Sequence, residues 1–253
     1  MRRAFAFMLI VRALQAGLVR AEDGGIAARL RVGAGVAQRG IEAPSAEGLR
    51  ELALGPVPAL LVGMDGDAHA GAWVLGLGLA YRTSVLGRVV DADAGAGAAM
   101  SKTAVRSHEF EAGLRAALQF GTGEHPIRLG LFAGYGVRAL ATVSVLRVPR
   151  FSLHGPVLRV ELDLPLRAAN MRLRFGPEGQ WISGISRALL DSAGLSQPAF
   201  ALGGFLQLQL PIAERFMLQL EYRESHAFAR ARGVPSFSDV ERYLLLAAAL
   251  RMP

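Results

Sequence analysis

Residues 157–166 read VLRVELDLPL, and in them Glu161 and Asp163 stand two apart with Arg159 just before. Two carboxylates on one side of an extended chain can divide the work of general acid and general base, provided their surroundings push their proton affinities apart. A strand points successive side chains to opposite faces. Arg159, Glu161 and Asp163 therefore share one face, and Leu158, Val160, Leu162, Leu164 and Leu166 share the other. The chemistry of the triplet depends on which face is inside. Leucines packed in a core would leave the charges in water and open to a substrate. Leucines against hydrocarbon would enclose the charges, which must then neutralise one another, because an isolated buried charge costs several kcal/mol.

Other residue types add little chemistry. His69 and His125 fall in turn-like segments, and His108 and His154 near strand ends; none has metal-ligand spacing, so no metal is implied. Cysteine is absent, which removes disulfide and thiolate chemistry. The segments GAGVAQRG and GLGLAY lack the dinucleotide fingerprint and a following helix. Their glycines are read as room for neighbouring side chains, and no cofactor is implied.

The alternation at 158–166 recurs along the chain. Leu30, Val32 and Val36 alternate with Arg29, Arg31 and Gly33; Trp73, Leu75, Leu77, Leu79 and Tyr81 with Gly76, Gly78 and Arg82; Phe110, Leu114, Leu118 and Phe120 with Glu109, Glu111 and Arg115. Ten strands are predicted, near 25–39, 51–65, 71–86, 104–120, 126–146, 150–166, 171–184, 197–212, 215–228 and 239–252, with eight as the alternative number. The second matches least well, because Pro56 and Pro58 each remove a ladder donor. Connections after strands two, four, six and eight are short (GDAHA, GTGEHP, LRAAN, PIAE). Those after the odd strands tend to be longer, notably 86–104 and 183–197.

Composition bears on where such strands sit. Hydrophobic residues make up 52% and charged residues 19%, below the ~25% charged content usual for soluble domains. No apolar run approaches the ~18–20 residues of a spanning helix. A membrane crossing would therefore use strands. The N-terminus MRRAFAFMLIVRALQAGLVRA has a basic start, an apolar run and small residues before Glu22, so residues 1–21 are expected to be a signal peptide and 22–253 the barrel domain. The formal charge of +7 includes four Arg from that segment; without them 24 basic residues face 21 acidic ones, or +3. With no basic run or aromatic-basic stripe, no nucleic-acid partner is expected.

A soluble barrel holding an apolar ligand would also alternate. Two features favour lipid. The polar face is rich in Gly, Ala and charge, which suits a crowded interior. Aromatics gather in two belts, Trp73, Phe120 and Phe216 toward the short turns and Tyr81, Phe110, Trp181, Phe200, Tyr222 and Tyr243 toward the long loops. Charges pointing inward would need partners, and the hairpin around 167–169 offers them. Pairing Leu164 with Met171 sets Asp163 opposite Arg172 and Glu161 opposite Arg174. A slip of two sets Asp163 opposite Arg174 and Arg159 opposite Glu178. In the hairpin closed by GTGEHP, pairing Gln119 with Arg128 sets Glu109 opposite Arg138. These eight residues, with Asp65, Glu111, Arg115, Glu221 and Arg223, are predicted to form a lumenal charge network. Ten strands enclose a narrow interior, so a plugged or very restricted pore is expected.

The periodic hairpins, the short and long connections on alternate ends and the tail RYLLLAAALRMP resemble the small outer-membrane β-barrels of Gram-negative bacteria over residues 25–253. The tail departs from them in ending Met252-Pro253 where an aromatic is usual. The resemblance implies a single closed, antiparallel, up-and-down transmembrane barrel. It also implies short turns and both termini in the periplasm, contact with lipid and lipopolysaccharide, and insertion by the barrel-assembly machinery. The expected role is structural, adhesive or restricted small-solute passage, without an assigned catalytic residue. Ten strands are also the number in the omptin proteases, which carry acidic residues and an Asp/His pair at the barrel rim. That resemblance suggests an alternative rim hydrolase in which Asp91, Asp93, Glu224 and His226 activate a water, although Glu-x-His replaces Asp-x-His. A soluble, lipocalin-like barrel is the remaining alternative.

Overall fold

Alternation of period two runs through the strands and assigns each a lumenal and an outer face. The computed structural model describes residues 26–45, 48–84, 87–91, 102–121, 126–142, 151–166, 170–186, 195–231 and 237–252. The expected signal segment, residues 1–21, lies outside them. The elements are β1 (Ile26–Ser45), β2 (Gly48–Ala70), β3 (Trp73–Ser84), β4 (Gly87–Asp91), β5 (Lys102–Phe120) and β6 (Ile127–Thr142), then β7 (Phe151–Pro165), β8 (Arg172–Ile182), β9 (Gly184–Ile185), β10 (Leu195–Ala213), β11 (Phe216–Ala231) and β12 (Phe237–Met252). Each ring strand pairs antiparallel with its neighbours in the chain. β12 returns to β1 through a register running from Ala28 opposite Met252 to Glu42 opposite Ser238. Ten strands thus close a barrel. β4 prolongs the place of β3 between β2 and β5, and β9 adds two residues to the β7 edge beyond β8.

β7 shows which face lies inside. Leu158 and Val160 are 54% and 44% exposed, whereas Arg159, Glu161 and Asp163 are 8%, 0% and 4% exposed. The leucines point outward and the charges fill the barrel, which overturns the soluble, lipocalin-like reading. Trp73 and Tyr81 on β3, both exposed, stand eight residues apart, about 26 Å along the strand at ~3.3 Å per residue. A tilt of ~35–45° reduces this to roughly 20 Å in height, comparable with the apolar band of a transmembrane barrel. Tyr243, placed by the sequence in the upper belt, is a correction. It is 1% exposed and points into the lumen, as the outward direction of its neighbour Leu244 requires.

Strands β1, β2, β5 and β10 run for 19–23 residues, about twice the ~9–11 that a tilted strand needs to cross a bilayer. The excess lies toward the end away from the short turns, and there the polarity reverses. On β7, Phe151 and Leu153 are buried inside while Ser152 and His154 face out. On β1, Ile41 is inside and Gln38 and Glu42 are outside. Ile41, Leu52, Leu54, Val105, Leu140, Phe151, Leu153, Ile182 and Phe237, with several alanines, form one apolar core across this end of the barrel.

Two details differ from the sequence reading. The connection after β1 was expected to be long, but β1 and β2 pair as far as Ser45 opposite Gly48. Pro56 and Pro58 sit inside the longest strand. Its register shifts between Ala37 and Arg39, so that Gly55 and Pro56 bulge opposite Gln38, and Pro58 precedes the first residue paired with β3, Ala59. A bulge and a locally one-sided strand spare both prolines a missing ladder bond. The short turns use left-handed residues where needed, Gly71 at φ 60° and Asn170 at φ 54°.

Candidate functional site: the lumen

In the lipid-facing zone the inward positions of neighbouring strands bring acids and arginines to the same height. Arg223 on β11 reaches Glu109 at 2.6 Å and both Glu111 and Glu178 at 2.8 Å. Arg159 on β7 lies 2.7 Å from Glu111 and 3.0 Å from Glu178. Arg82 on β3 joins Glu221 at 2.5 Å and Glu109 at 3.3 Å, and Arg138 lies 3.8 Å from Glu178. These eight groups are all nearly inaccessible to water. A single pair at this depth would barely repay its desolvation; the arrangement holds because Arg82, Arg159 and Arg223 each meet two or more carboxylates with directed hydrogen bonds, while Arg138 adds a longer contact to Glu178.

Nearer the short turns the pairs continue. Glu161 takes Arg174 at 2.5 Å and Arg115 at 2.6 Å; Asp163 takes Arg172 at 2.8 Å and Arg128 at 4.0 Å; Asp65 takes Arg31 at 2.7 Å. Asp67 lies 3.4 Å from Arg29 and 3.8 Å from Arg115. Gln207, Gln209 and Gln219 add a short amide chain to Glu221. Guanidinium planes also use the interior aromatics, with Arg159 4.9 Å from Phe132 and 5.0 Å from Phe205. Phe132 rests on Gly113 and Gly134, where a Cβ would come within 2.6 and 2.9 Å of its ring. There glycine makes room for an inward aromatic.

The sequence-predicted residues are thus found together, but with different partners in places. Across the β7–β8 hairpin the backbone takes the slipped register, with Asp163 opposite Arg174 and Arg159 opposite Glu178. The side chains of Arg172 and Arg174 nevertheless lean diagonally to Asp163 and Glu161, so each register accounts for part of the pairing. Glu109 is opposite Arg138 in the ladder, yet its ion pairs go to Arg82 and Arg223 and Arg138 turns to Glu178. A long side chain reaches across a narrow lumen as easily as to the facing residue.

At the boundary with the apolar core lies a cluster absent from the sequence reading. Arg39 on β1 donates to Asp239 on β12 at 2.8 and 2.6 Å, to the Ser107 hydroxyl at 2.7 Å and to the Ala139 carbonyl at 3.2 Å. The Ser107 and Tyr243 hydroxyls both donate to Glu241. Its signal is the inward parity of Arg39, Asp239 and Glu241, which lie at the outer ends of the first and last predicted strands.

Among the described residues the rim-hydrolase set does not come together. Glu224 and His226 lie on the outer face, where Glu224 accepts from the Tyr222 hydroxyl at 2.6 Å and pairs with Arg242 at 3.1 Å, and His226 Nε2 is 2.9 Å from the Ser238 hydroxyl. From His226 the ladder passes through Val240, Gly40 and Ala53 to Val90, the neighbour of Asp91. Four strand spacings of ~4.8 Å make roughly 19 Å along the wall, too far to share a water. Asp93 and His125 lie outside the described residues.

No protein-family model and no curated protein matches the chain by sequence. Among solved structures, the outer membrane protease OmpT from Escherichia coli is similar at a TM-score of 0.54 and 10% identity, covering 92% of this chain and 98% of that one. The translocator domain of the autotransporter NalP from Neisseria meningitidis gives 0.42 at 12% identity, covering 99% and 97%, and Neisserial surface protein A gives 0.35 at 12% identity, covering 90% and 99%. At such identities the likeness speaks for architecture alone: the chain has the closed antiparallel fold of the outer-membrane β-barrels of Gram-negative bacteria.

Proposed function

We propose that the protein is an integral outer-membrane barrel that acts as a closed scaffold, structural or adhesive, with the end of its long connections at the cell surface. The observation carrying this reading is that the interior is occupied along its height. Ion-paired side chains fill it between the aromatic belts, and the apolar core fills it beyond them. In this setting the exposed leucines and valines meet lipid and lipopolysaccharide, the short turns and both chain ends face the periplasm, and insertion relies on the barrel-assembly machinery. In planar bilayers the protein should give no steady conductance; stable ohmic steps would overturn the closed lumen in favour of restricted small-solute passage. Orientation is tested separately. A cysteine introduced as Ala72→Cys in a short turn should resist a membrane-impermeant maleimide on intact cells, and rapid labelling would reverse the assignment.

A further inference from the structure

The lumenal charges divide into two layers of different balance. In the layer toward the apolar core, Arg82, Arg138, Arg159 and Arg223 meet Glu109, Glu111, Glu178 and Glu221, four against four. The layer toward the short turns holds Arg29, Arg31, Arg115, Arg128, Arg172 and Arg174. Against these six stand Asp65, Asp67, Glu161 and Asp163. The layer toward the short turns therefore carries two more positive than negative charges. The surplus shows as shared and stretched pairs: Arg128 reaches Asp163 only at 4.0 Å because Arg172 already holds that carboxylate at 2.8 Å, and Arg29 and Arg115 divide Asp67 at 3.4 and 3.8 Å.

We infer that this layer is a binding site for a small dianionic oxyanion of the phosphate or sulfate class. Arg115, its side chain nine-tenths buried, has an Nη2 without a hydrogen-bond partner among the described residues, and the same is true of the Arg128 Nε. Buried guanidinium donors without acceptors are costly. Both arginines line a lumenal cavity of about 80 Å³, room for several waters at the ~10–15 Å³ that each water centre needs. Arg29, Arg128 and Arg172 keep 27%, 17% and 18% of their side chains exposed, so the cavity is reached from the short-turn mouth. An anion with two charges and several acceptor oxygens supplies both what the electrostatics lacks and what the donors lack, and planar guanidinium groups suit it. This inference goes beyond the scaffold reading and does not depend on whether the lumen conducts.

The test is calorimetric titration of the detergent-solubilised protein with inorganic phosphate, sulfate and chloride at matched ionic strength, and with a short-chain phosphatidic acid. One equivalent of phosphate or sulfate should bind saturably and chloride should not. Arg128→Gln at the mouth should weaken phosphate binding about ten-fold or more, whereas Arg242→Gln on the outer face should leave it unchanged. Gln119 is opposite Arg128 in the ladder, so Gln119→Glu supplies a carboxylate from the wall. It should remove phosphate binding while raising thermal stability in phosphate-free buffer, a readout that misfolding cannot imitate. The site is overturned if phosphate does not saturate, if Arg128→Gln and Gln119→Glu bind as the parent does, or if only phosphatidic acid binds and Arg242→Gln abolishes that binding.

Discussion

The two halves of the barrel interior differ more from each other than either differs from a familiar protein. Between the aromatic belts the inside is largely ionic, beside a small apolar patch of Leu61, Ala80, Leu245 and Ala247, and the outside is aliphatic, with Arg159 and Glu161 inward and Leu158 and Val160 outward. Six residues earlier on the same strand the assignment is reversed, with Leu153 inside and His154 outside. One β7 therefore obeys two rules. Lipid removes the hydrophobic gain of pointing a leucine inward, so the interior there is left to groups that satisfy one another. Beyond the lipid the wall has water outside, and the ordinary drive to bury hydrocarbon returns.

The contrast can be broken by substitution, and unfolding in urea from lipid vesicles measures each case. The largest effect is expected of Arg223→Met, which strips three carboxylates of a shared partner: about 3–5 kcal/mol, the cost of a broken buried ion network. Leu153→Ala, in the apolar core, should cost about 3 kcal/mol through lost burial and the cavity left behind. Val160→Arg, on the lipid face of the same strand, should cost about 2 kcal/mol; in a soluble barrel that position would be the tightly packed one and the loss far greater. Arg242→Gln, which breaks the exposed pair with Glu224, should leave stability essentially unchanged. If Arg223→Met proved as mild as Arg242→Gln, the ionic interior would be incidental to the fold.

Period-two alternation made the ten strands and their lipid face legible, because a two-residue repeat survives whatever the loops do. The partners of individual charges were less so. Sequence spacing gives the facing residue, but Arg82 on β3 and Glu221 on β11 meet only because the ring closes and narrows. The apolar end escaped for another reason. Its alternation is as regular as that between the belts but opposite in phase, and the change falls at Gly155-Pro156 on β7 and at the Gly55–Pro56 bulge on β2. The first predicted strand ends at Arg39, so the inward run through Arg39 and Ile41 shows only where β1 is carried on to Ser45. The outward direction of Glu224 and His226 is implicit in their shared parity with Tyr222.

Arg39 belongs to the first strand and its carboxylate partners to the last. Asp239 and Glu241 thus meet Arg39 only when β12 pairs with β1 in the correct register. A slip of one residue would turn them toward the outside, and a slip of two would offer Arg39 a different neighbour and strand the Ser107 hydroxyl. The cluster couples completion of the ring to a check on its alignment. An unfinished or misaligned barrel keeps two uncompensated charges near its seam and stays distinguishable, in energy, from a finished one.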